Sequence, residues 1–321
     1  MKENVFVCFT PYHIYIACIK AMVEKMENYE IAVTDNVPDG ETYCAALRKE
    51  GVFKRVHYLK QADYIPRFAR QKFHVIYFLM PFLLRRSDRV LGFLRNKEIY
   101  LFSDNSSVGI YLMRRHIPYH LLEDGCDTFS YNQRAIRGRA QKIKKLLFNL
   151  WKIPYSMGQS PYCADVEVND KARLKTAFSC PVIEKRRSEL IAQMNEEQIA
   201  ALLRVFDFDF SMSLGRKSLL LLTQPLCEMR LAKDDAETVR LYEKALLPYR
   251  DSYDIYVKPH PRDKGDYTQL FDGAAVVIPR AIPAEILNYV KNIQFDLGVT
   301  LSSTSANGVS FCKKIERISL T

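Results

Sequence analysis

The sequence predicts an α/β protein made of two domains, each built on a parallel sheet. Short, continuous apolar runs alternate with longer amphipathic stretches along the chain, which is the pattern of strands joined by helical crossovers. The length of 321 residues suits two domains of ordinary size, and 48% hydrophobic residues are enough for two packed cores. The alternation recurs in the second half, so we expect two Rossmann-like domains that face each other across a cleft.

The first half opens with a strand followed by a helix. Residues 5–9 form a continuous apolar run, and Thr10-Pro11 interrupts it before an amphipathic helix over about 12–26. Thr10 can cap this helix, and Pro11 suits its first turn. His13 lies in that turn, above the carboxyl end of a strand, where side chains of α/β proteins face a cleft. Further strands are predicted at 30–34, 53–59, 98–102 and 118–122, with helices over 41–49, 64–94 and from the SDNSS turn through 115.

The second half repeats this alternation. Residues 151–161 are rich in turn formers and are the predicted linker, with the domain boundary between 155 and 156. Charged helical sequence is predicted over 170–206. Strands are then predicted at 217–223, 253–257, 274–278 and 295–301, and helices over 237–249 and from Pro283 onward. Both halves are therefore predicted to be doubly wound parallel sheets with right-handed crossovers.

The chain is basic, and much of that charge lies in one segment. The formal net charge is +10, which favours anionic partners such as nucleotides, nucleic acid or an acidic membrane surface. Residues 134–152 are rich in Lys and Arg, contain no acid and form a helical pattern with one apolar side. That segment can contact an anionic membrane or an acceptor, or it can be a crossover helix with a solvated basic face. Nucleic acid is disfavoured because the segment lacks interleaved aromatic residues.

The cysteines and apolar runs predict a cytoplasmic protein. The eight cysteines are scattered without a CxxC pair, which is typical of reduced thiols and not of a zinc site or a disulfide framework. The amino terminus lacks the pattern of a signal peptide. The longest apolar run, 75–84, contains Pro81 and is too short to cross a bilayer of ~30 Å. We therefore expect the cytoplasm, with peripheral contact at the inner face of the membrane through 134–152.

Charged and hydroxyl-bearing residues gather where predicted strands end. The strand at 253–257 is followed by Lys258-Pro-His260-Pro-Arg262, in which the prolines hold His260 in extended backbone. Cations at the carboxyl end of a strand suit an anionic ligand, although the same residues also fit a solvated loop. The serine-rich turn at 302–305 offers hydroxyl and backbone N–H donors for a phosphate, or it is a helix cap. The chain has no GxGxxG, GxxxxGK[ST], HExxH or GxSxG motif.

Four motifs in fixed order resemble those of bacterial sialyltransferases. They are EDG at 123–125, KPHP at 258–261, IPAEIL at 282–287 and SST at 302–304. With Thr-Pro at 10–11 and Thr-Gln-Pro at 223–225, the chain looks most like glycosyltransferase family 52, which includes lipooligosaccharide and capsular sialyltransferases. The resemblance implies a GT-B fold, in which the amino-terminal domain (1–155) binds the acceptor sugar and the carboxy-terminal domain (156–321) binds CMP-sialic acid.

The resemblance also implies a role for each motif. Asp124 would be the general base, and His260 would contact the donor phosphate. The donor nucleotide would be held by Lys258, Pro283, Glu285, Ser302, Ser303 and Thr304. The acceptor would be bound by Thr10, His13, Asp104, Asn105 and Glu123. The family commonly has Gln where this chain has Tyr12-His13, so its acceptor preference is not transferred.

The expected reaction is an inverting, metal-independent transfer of sialic acid to a hydroxyl of a galactose-terminated surface glycan, with no cofactor. Departure of CMP from a tertiary carbon places growing negative charge on phosphate, which His260 and the serines would stabilise. Asp124 would take the proton of the attacking hydroxyl. The alternatives are another nucleotide sugar such as UDP-glucose, or a non-catalytic GT-B module that binds anionic glycan or membrane. The sequence specifies neither the glycosidic linkage that is formed nor whether the protein is a homodimer.

Overall fold

The computed structural model describes residues 3–24, 28–66, 84–125, 146, 154, 156–175, 177–207, 214, 217–290, 293–301 and 310–319. The chain divides into two compact units, Met1–Val205 and Phe206–Thr321. Each unit contains one parallel sheet with its own hydrophobic core. The predicted α/β class is therefore confirmed in both units.

The sheet of the first unit has seven parallel strands in the order β3-β2-β1-β4-β5-β6-β7. Every residue of β1 is buried, as expected for a central strand covered on both faces. The order reverses between β1 and β4, and ligands of open α/β sheets bind beside the carboxyl ends of strands at such a point. The strands are β1 (Asn4–Cys8), β2 (Tyr29–Thr34), β3 (Arg55–Leu59), β4 (Glu98–Leu101), β5 (Tyr119–Leu122), β6 (Cys163–Val168) and β7 (Val182–Glu184).

The described helices of the first unit connect and cover these strands. They are α1 (Pro11–Val23), α2 (Gly40–Glu50), α3 (Gln61–Tyr64), α4 (Leu84–Leu91), α5 (Ser107–Arg114), α6 (Arg187–Ala192) and α7 (Glu196–Val205), with short 3-10 helices at Gly92–Leu94 and Lys171–Arg173. The predicted start of α1 is confirmed. Thr10 is its N-cap, and the Thr10 hydroxyl accepts a hydrogen bond from the His13 amide at 3.2 Å.

The sheet of the second unit has five parallel strands in the order β10-β9-β8-β11-β12. Its central strand β8 is entirely buried and its sequence, SLLLL, is almost wholly apolar. The strands are β8 (Ser218–Leu222), β9 (Asp254–Lys258), β10 (Val276–Val277), β11 (Leu297–Thr300) and β12 (Ile315–Arg317). Helix α8 (Asp235–Leu246) and 3-10 helices at Leu247–Tyr249 and Ala284–Tyr289 complete the described elements.

The predicted boundary between 155 and 156 needs correction, because the structure divides the chain between 205 and 206. Strand β6 pairs with β5, with Leu121 opposite Val166, so residues beyond 155 extend the first sheet. The fully buried Lys20 of α1 also bonds to Glu167 of β6, with 2.7 Å between Nζ and Oε2. The helical prediction over 170–206 was wrong at Val182–Glu184, which is strand β7. Strands β7 and β12 are short and contain charged residues, so neither gives a clear apolar run in the sequence. Neither strand was predicted for this reason.

Other predictions fall partly outside the described residues. The predicted helix over 64–94 contains α4, but its residues 67–83 lie outside the described residues. The predicted basic helix over 134–152 also lies outside them, apart from Leu146. All seven described cysteines are free thiols, as predicted. No helix among the described residues is long and apolar enough to span a membrane.

A close backbone contact fixes the loop between β4 and α5. A Cβ atom on Gly109 would lie 2.3 Å from the carbonyl oxygen of Asp104 and 2.5 Å from its Cα. Both atoms belong to the backbone, so only glycine allows α5 to pack against this loop. Gly92 offers a comparison within the same unit, because nothing lies within 4 Å of a Cβ atom placed there.

We expect Gly109→Ala to destabilise the first unit and Gly92→Ala to leave its stability nearly unchanged or slightly raised. Overpacking against fixed backbone costs about 1–3 kcal/mol, which exceeds the gain of about 0.5–1 kcal/mol from the helical preference of alanine. Differential scanning calorimetry of the two variants beside the wild type measures the difference. Equal unfolding midpoints for all three proteins would contradict the packing described.

Candidate functional site

His13 lies in the first turn of α1, directly after β1, and contacts three different groups. Its Nδ1 accepts a hydrogen bond from the Phe9 amide at 3.0 Å, and its Nε2 bonds to Oδ1 of Asp124. The imidazole stacks on the ring of Phe102, with centroids 4.1 Å apart and planes at 5°. Its side chain is 1% exposed. His13 was predicted to face a ligand, whereas in the structure it is enclosed and bonded to Asp124.

The hydrogen bonds of His13 define its protonation state. Because the Phe9 amide donates to Nδ1, the proton of a neutral imidazole must lie on Nε2, which then donates to the Asp124 carboxylate. Burial lowers the pKa of His13, and the bond to Asp124 opposes this only in part. The ring is therefore a neutral donor to Asp124 near pH 7.

Asp124 follows β5 and keeps part of its carboxylate in contact with solvent. Its side chain is 36% exposed, in contrast to the enclosed imidazole that holds one of its oxygens. The structure therefore brings together Asp124 and His13, which the sequence analysis had placed in two different motifs. A fixed and partly exposed carboxylate at a strand end is suited to accept a proton from a bound hydroxyl.

The neighbouring Glu123 is buried and held by groups that the sequence analysis missed. Its Oε2 accepts a hydrogen bond from the Asn169 amide at 2.7 Å, and the guanidinium of Arg187 donates to its carbonyl oxygen at 2.8 Å. Arg187 also lies over the ring of Tyr12, 5.1 Å from the centroid. Asn169 and Arg187 come from sequence beyond 155, which had been assigned to the other domain. Glu123 thus fixes the backbone beside Asp124.

Asp104, which was predicted to bind the acceptor, is fully buried in the structure. Its side chain has no exposed surface, and its Oδ2 accepts hydrogen bonds from the Tyr119 hydroxyl and the Gly158 amide, both at 2.9 Å. Burial raises the pKa of Asp104 to about 6, although both hydrogen bonds oppose the rise. Its buried Oδ1 has no hydrogen-bond partner in the part of the chain that the structure describes. In this conformation Asp104 supports its loop, while the adjacent Asn105 is exposed.

In the second unit, His260 lies just beyond β9. Its amide donates to the Thr223 hydroxyl at 3.0 Å, and its Nδ1 accepts from the Arg262 amide at 3.1 Å. The neutral imidazole therefore carries its proton on Nε2, for which the described residues provide no partner. Burial lowers the pKa of His260 to about 4, and the charges of Arg262 and Lys258 act in the same direction. His260 is thus a neutral hydrogen-bond donor near pH 7.

A buried carboxylate organises the loop that carries His260. Asp263 accepts hydrogen bonds from the Thr223 hydroxyl, from the Tyr267 hydroxyl at 2.7 Å and from the Gly265 amide at 2.9 Å. Thr223 therefore connects Asp263 to the His260 backbone. Thr223 was predicted only as part of a short motif, and Asp263 was not predicted as a site residue. Neither type of residue indicates by itself that its side chain is buried.

Lys258 does not present its ammonium to solvent as a binding cation would. Its residue is 3% exposed, and Nζ donates to the carbonyl oxygens of Pro259 at 2.7 Å and Arg280 at 3.2 Å. Burial lowers the pKa of Lys258 to about 7, and the negative charge of Glu285 opposes this shift. Lys258 therefore holds together two loops, one of which leads to the IPAEIL motif.

The remaining predicted donor residues are partly described. Pro283 is buried and is the N-cap of the 3-10 helix Ala284–Tyr289, and Glu285 in its first turn is partly buried. Ser302, Ser303 and Thr304 lie outside the described residues. Within the described part of the chain, no group of three or more His, Cys, Asp and Glu side chains is arranged to hold a metal ion.

The chain is similar to known proteins in both sequence and fold. The family model described as glycosyltransferase family 52 matches residues 25–318. An uncharacterized protein of Haemophilus influenzae is 26% identical over 227 residues, which cover 70% of this chain and 68% of that protein.

Solved structures with the same fold include two UDP-GlcNAc 2-epimerases. The enzyme from Neisseria meningitidis bound to UDP-GlcNAc is 11% identical, with 94% of this chain and 77% of that chain covered at a TM-score of 0.50. The enzyme from Methanocaldococcus jannaschii is 15% identical, with 95% and 80% covered at a TM-score of 0.51. At these identities the similarity shows the fold alone, which is GT-B with two Rossmann-like domains. Because the family match extends over nearly the whole chain, this protein belongs to glycosyltransferase family 52.

Proposed function

We propose that this glycosyltransferase is an inverting sialyltransferase that transfers sialic acid from CMP-sialic acid to a galactose hydroxyl of a surface glycan. The observation that carries the proposal is the Asp124 carboxylate, which is fixed by His13, 36% exposed and located in the EDG motif. The donor is inferred from the resemblance of the motifs, since the comparisons support a glycosyltransferase without specifying its nucleotide sugar.

The acceptor half of the proposed reaction requires a base. In our proposal the free oxygen of Asp124 takes the proton from the attacking hydroxyl while the other oxygen remains bonded to His13. Positioned base catalysis typically contributes about 10²–10⁴-fold to a rate. A single displacement at the anomeric carbon then inverts its configuration. Thr10 and the exposed Asn105 are the remaining candidates for direct contact with the acceptor.

The donor half requires stabilisation of a departing phosphate. We assign the Nε2–H of His260 as a neutral donor to a phosphate oxygen, with Ser302, Ser303 and Thr304 as further donors. The low pKa of His260 makes a hydrogen bond from the neutral ring more consistent with the structure than an imidazolium ion. Glu285 would bind the ribose and Pro283 would shape its pocket, while Lys258 would act through the loops that it joins. These groups suffice in the proposal without a metal ion.

The choice of donor is tested directly with the full-length protein. Incubation with CMP-sialic acid and, separately, with UDP-glucose should give hydrolysis or transfer only with the CMP sugar. Turnover of UDP-glucose alone would replace the proposed donor. Turnover of neither sugar, together with binding of anionic glycan or of anionic vesicles that is lost on replacing the basic residues of 134–152, would favour the non-catalytic module.

Asp124→Asn should lower kcat by about 10²–10⁴-fold, because the amide cannot accept the proton of the hydroxyl. The Michaelis constant for the donor should remain within a few-fold of the wild type. Glu41→Gln is a suitable control, since Glu41 is an exposed acid of the same unit and forms a surface ion pair with Lys60. Unchanged turnover by Asp124→Asn would remove the base from the mechanism.

His260 allows a comparison of two substitutions. His260→Asn keeps an acceptor near the Nδ1 position for the Arg262 amide but loses the Nε2 donor, whereas His260→Gln keeps a donor near Nε2. We therefore expect the Asn variant to lose about 10²–10³-fold in kcat, the cost of removing one donor that stabilises a developing anion, and the Gln variant to lose less. Initial rates with CMP-sialic acid measure both. Equal losses of kcat in the two variants would indicate that the conformation of the loop, and not the Nε2 donor, determines the rate.

A further inference from the structure

We propose that His13 is a positioning residue, which orients the carboxylate of Asp124 for proton abstraction without contacting the acceptor or relaying the proton. This inference rests on the proposed function, in which Asp124 is the base. It departs from the expectation that His13 binds the acceptor. Three observations support it, and they concern the enclosure of the ring, its tautomer and the direction of its hydrogen bond.

The imidazole is held in a single orientation. Phe102 stacks on one face with a centroid separation of 4.1 Å, and Phe9 meets the ring edge to face at 6.1 Å. Rotating the ring by 180° would exchange its nitrogen atoms for carbon atoms and break the bonds to the Phe9 amide and to Asp124. With only 1% of the side chain exposed, no ring nitrogen is accessible to a sugar hydroxyl.

The same bonds exclude a proton relay through the ring. When Asp124 accepts a proton from the substrate, a relay would require His13 to take up that proton. Nε2 already carries hydrogen, and the Nδ1 lone pair accepts the hydrogen bond of the Phe9 amide. Protonation at Nδ1 would leave a buried backbone amide without its acceptor, which is unfavourable. The proton therefore remains on Asp124 until it is released to solvent.

The bond from His13 occupies one oxygen of Asp124, and no described residue is hydrogen-bonded to the other. Among the described residues, Arg187 is the other charged group that acts on His13, and the buried Glu123 precedes Asp124 in the chain. Glu123 and Arg187 are paired with each other, with 3.8 Å between Oε2 and Nη2.

Two substitutions of His13 separate positioning from other roles. His13→Gln retains a donor near Nε2, whereas His13→Asn retains an acceptor for the Phe9 amide but cannot reach Asp124. We expect His13→Asn to lower kcat by about 10²-fold, since misplacement of a catalytic group by about 1 Å has effects of that size. His13→Gln should recover most of the rate.

Steady-state kinetics with donor and acceptor varied separately distinguish the outcomes. Loss of kcat with an acceptor KM near that of the wild type in the Asn variant, and recovery of kcat in the Gln variant, supports positioning. A rise in the acceptor KM alone, with kcat unchanged, would mean that His13 contacts the acceptor. Wild-type kcat in both variants would also overturn the inference.

A second measurement does not depend on enzymatic activity. The wild-type protein labelled with ¹⁵N at its six histidines reports the tautomer of each ring, and His13→Asn identifies the His13 signals by their loss. We expect a neutral ring with hydrogen on Nε2, which becomes protonated only below the usual pH range of histidine because burial lowers its pKa. An Nδ1–H tautomer, or titration near pH 6.5, would contradict the assignment. If CMP-sialic acid is not turned over, the donor proposal fails while this spectrum still tests His13.

Discussion

The position of β1 in the middle of its sheet is the constraint on which the first unit depends. Parallel pairing with β2 on one side and β4 on the other buries every residue of the strand and fixes where it ends. Thr10 then turns the chain into α1, so that His13 lies beside Phe102 at the reversal of strand order. Since β5 follows β4 in the sheet, the residues after β5 come within reach of that ring. His13 and Asp124, which are far apart in the sequence, thereby form a hydrogen-bonded pair.

The two candidate histidines are built on the same physical scheme, although they lie in different units. In each, a backbone amide donates to Nδ1, which leaves the hydrogen of the neutral ring on Nε2. Burial then disfavours the imidazolium form of both rings. The Nε2–H of His13 is directed to a carboxylate within the protein, whereas that of His260 has no partner among the described residues. One ring is therefore suited to orient a base, and the other to bind an anionic oxygen.

Buried charge also organises the rest of each unit. Lys20 joins α1 to β6 through Glu167, and Lys258 joins two loops of the second unit through backbone carbonyls. Breaking a buried pair by removing one partner costs about 3–5 kcal/mol, so such groups are effective at fixing the elements that they connect. In the sequence Lys20 appears as an ordinary residue of a helix and Lys258 as a cation available to a ligand. Their roles differ because burial places different partners around the same ammonium group.

The sequence by itself determined the class of the fold, the order of the apolar strands, the cap of α1 and the motifs that identify the family. These features depend on residues near one another in the chain, such as the run that forms β8 or the Thr10-Pro11 pair. Only the tertiary structure decided that residues 156–205 complete the first sheet, that His13 faces Asp124 and that Asp104 is enclosed. Such contacts join positions up to 176 residues apart, as between Met22 and Gln198, and short-range periodicity carries no information about them.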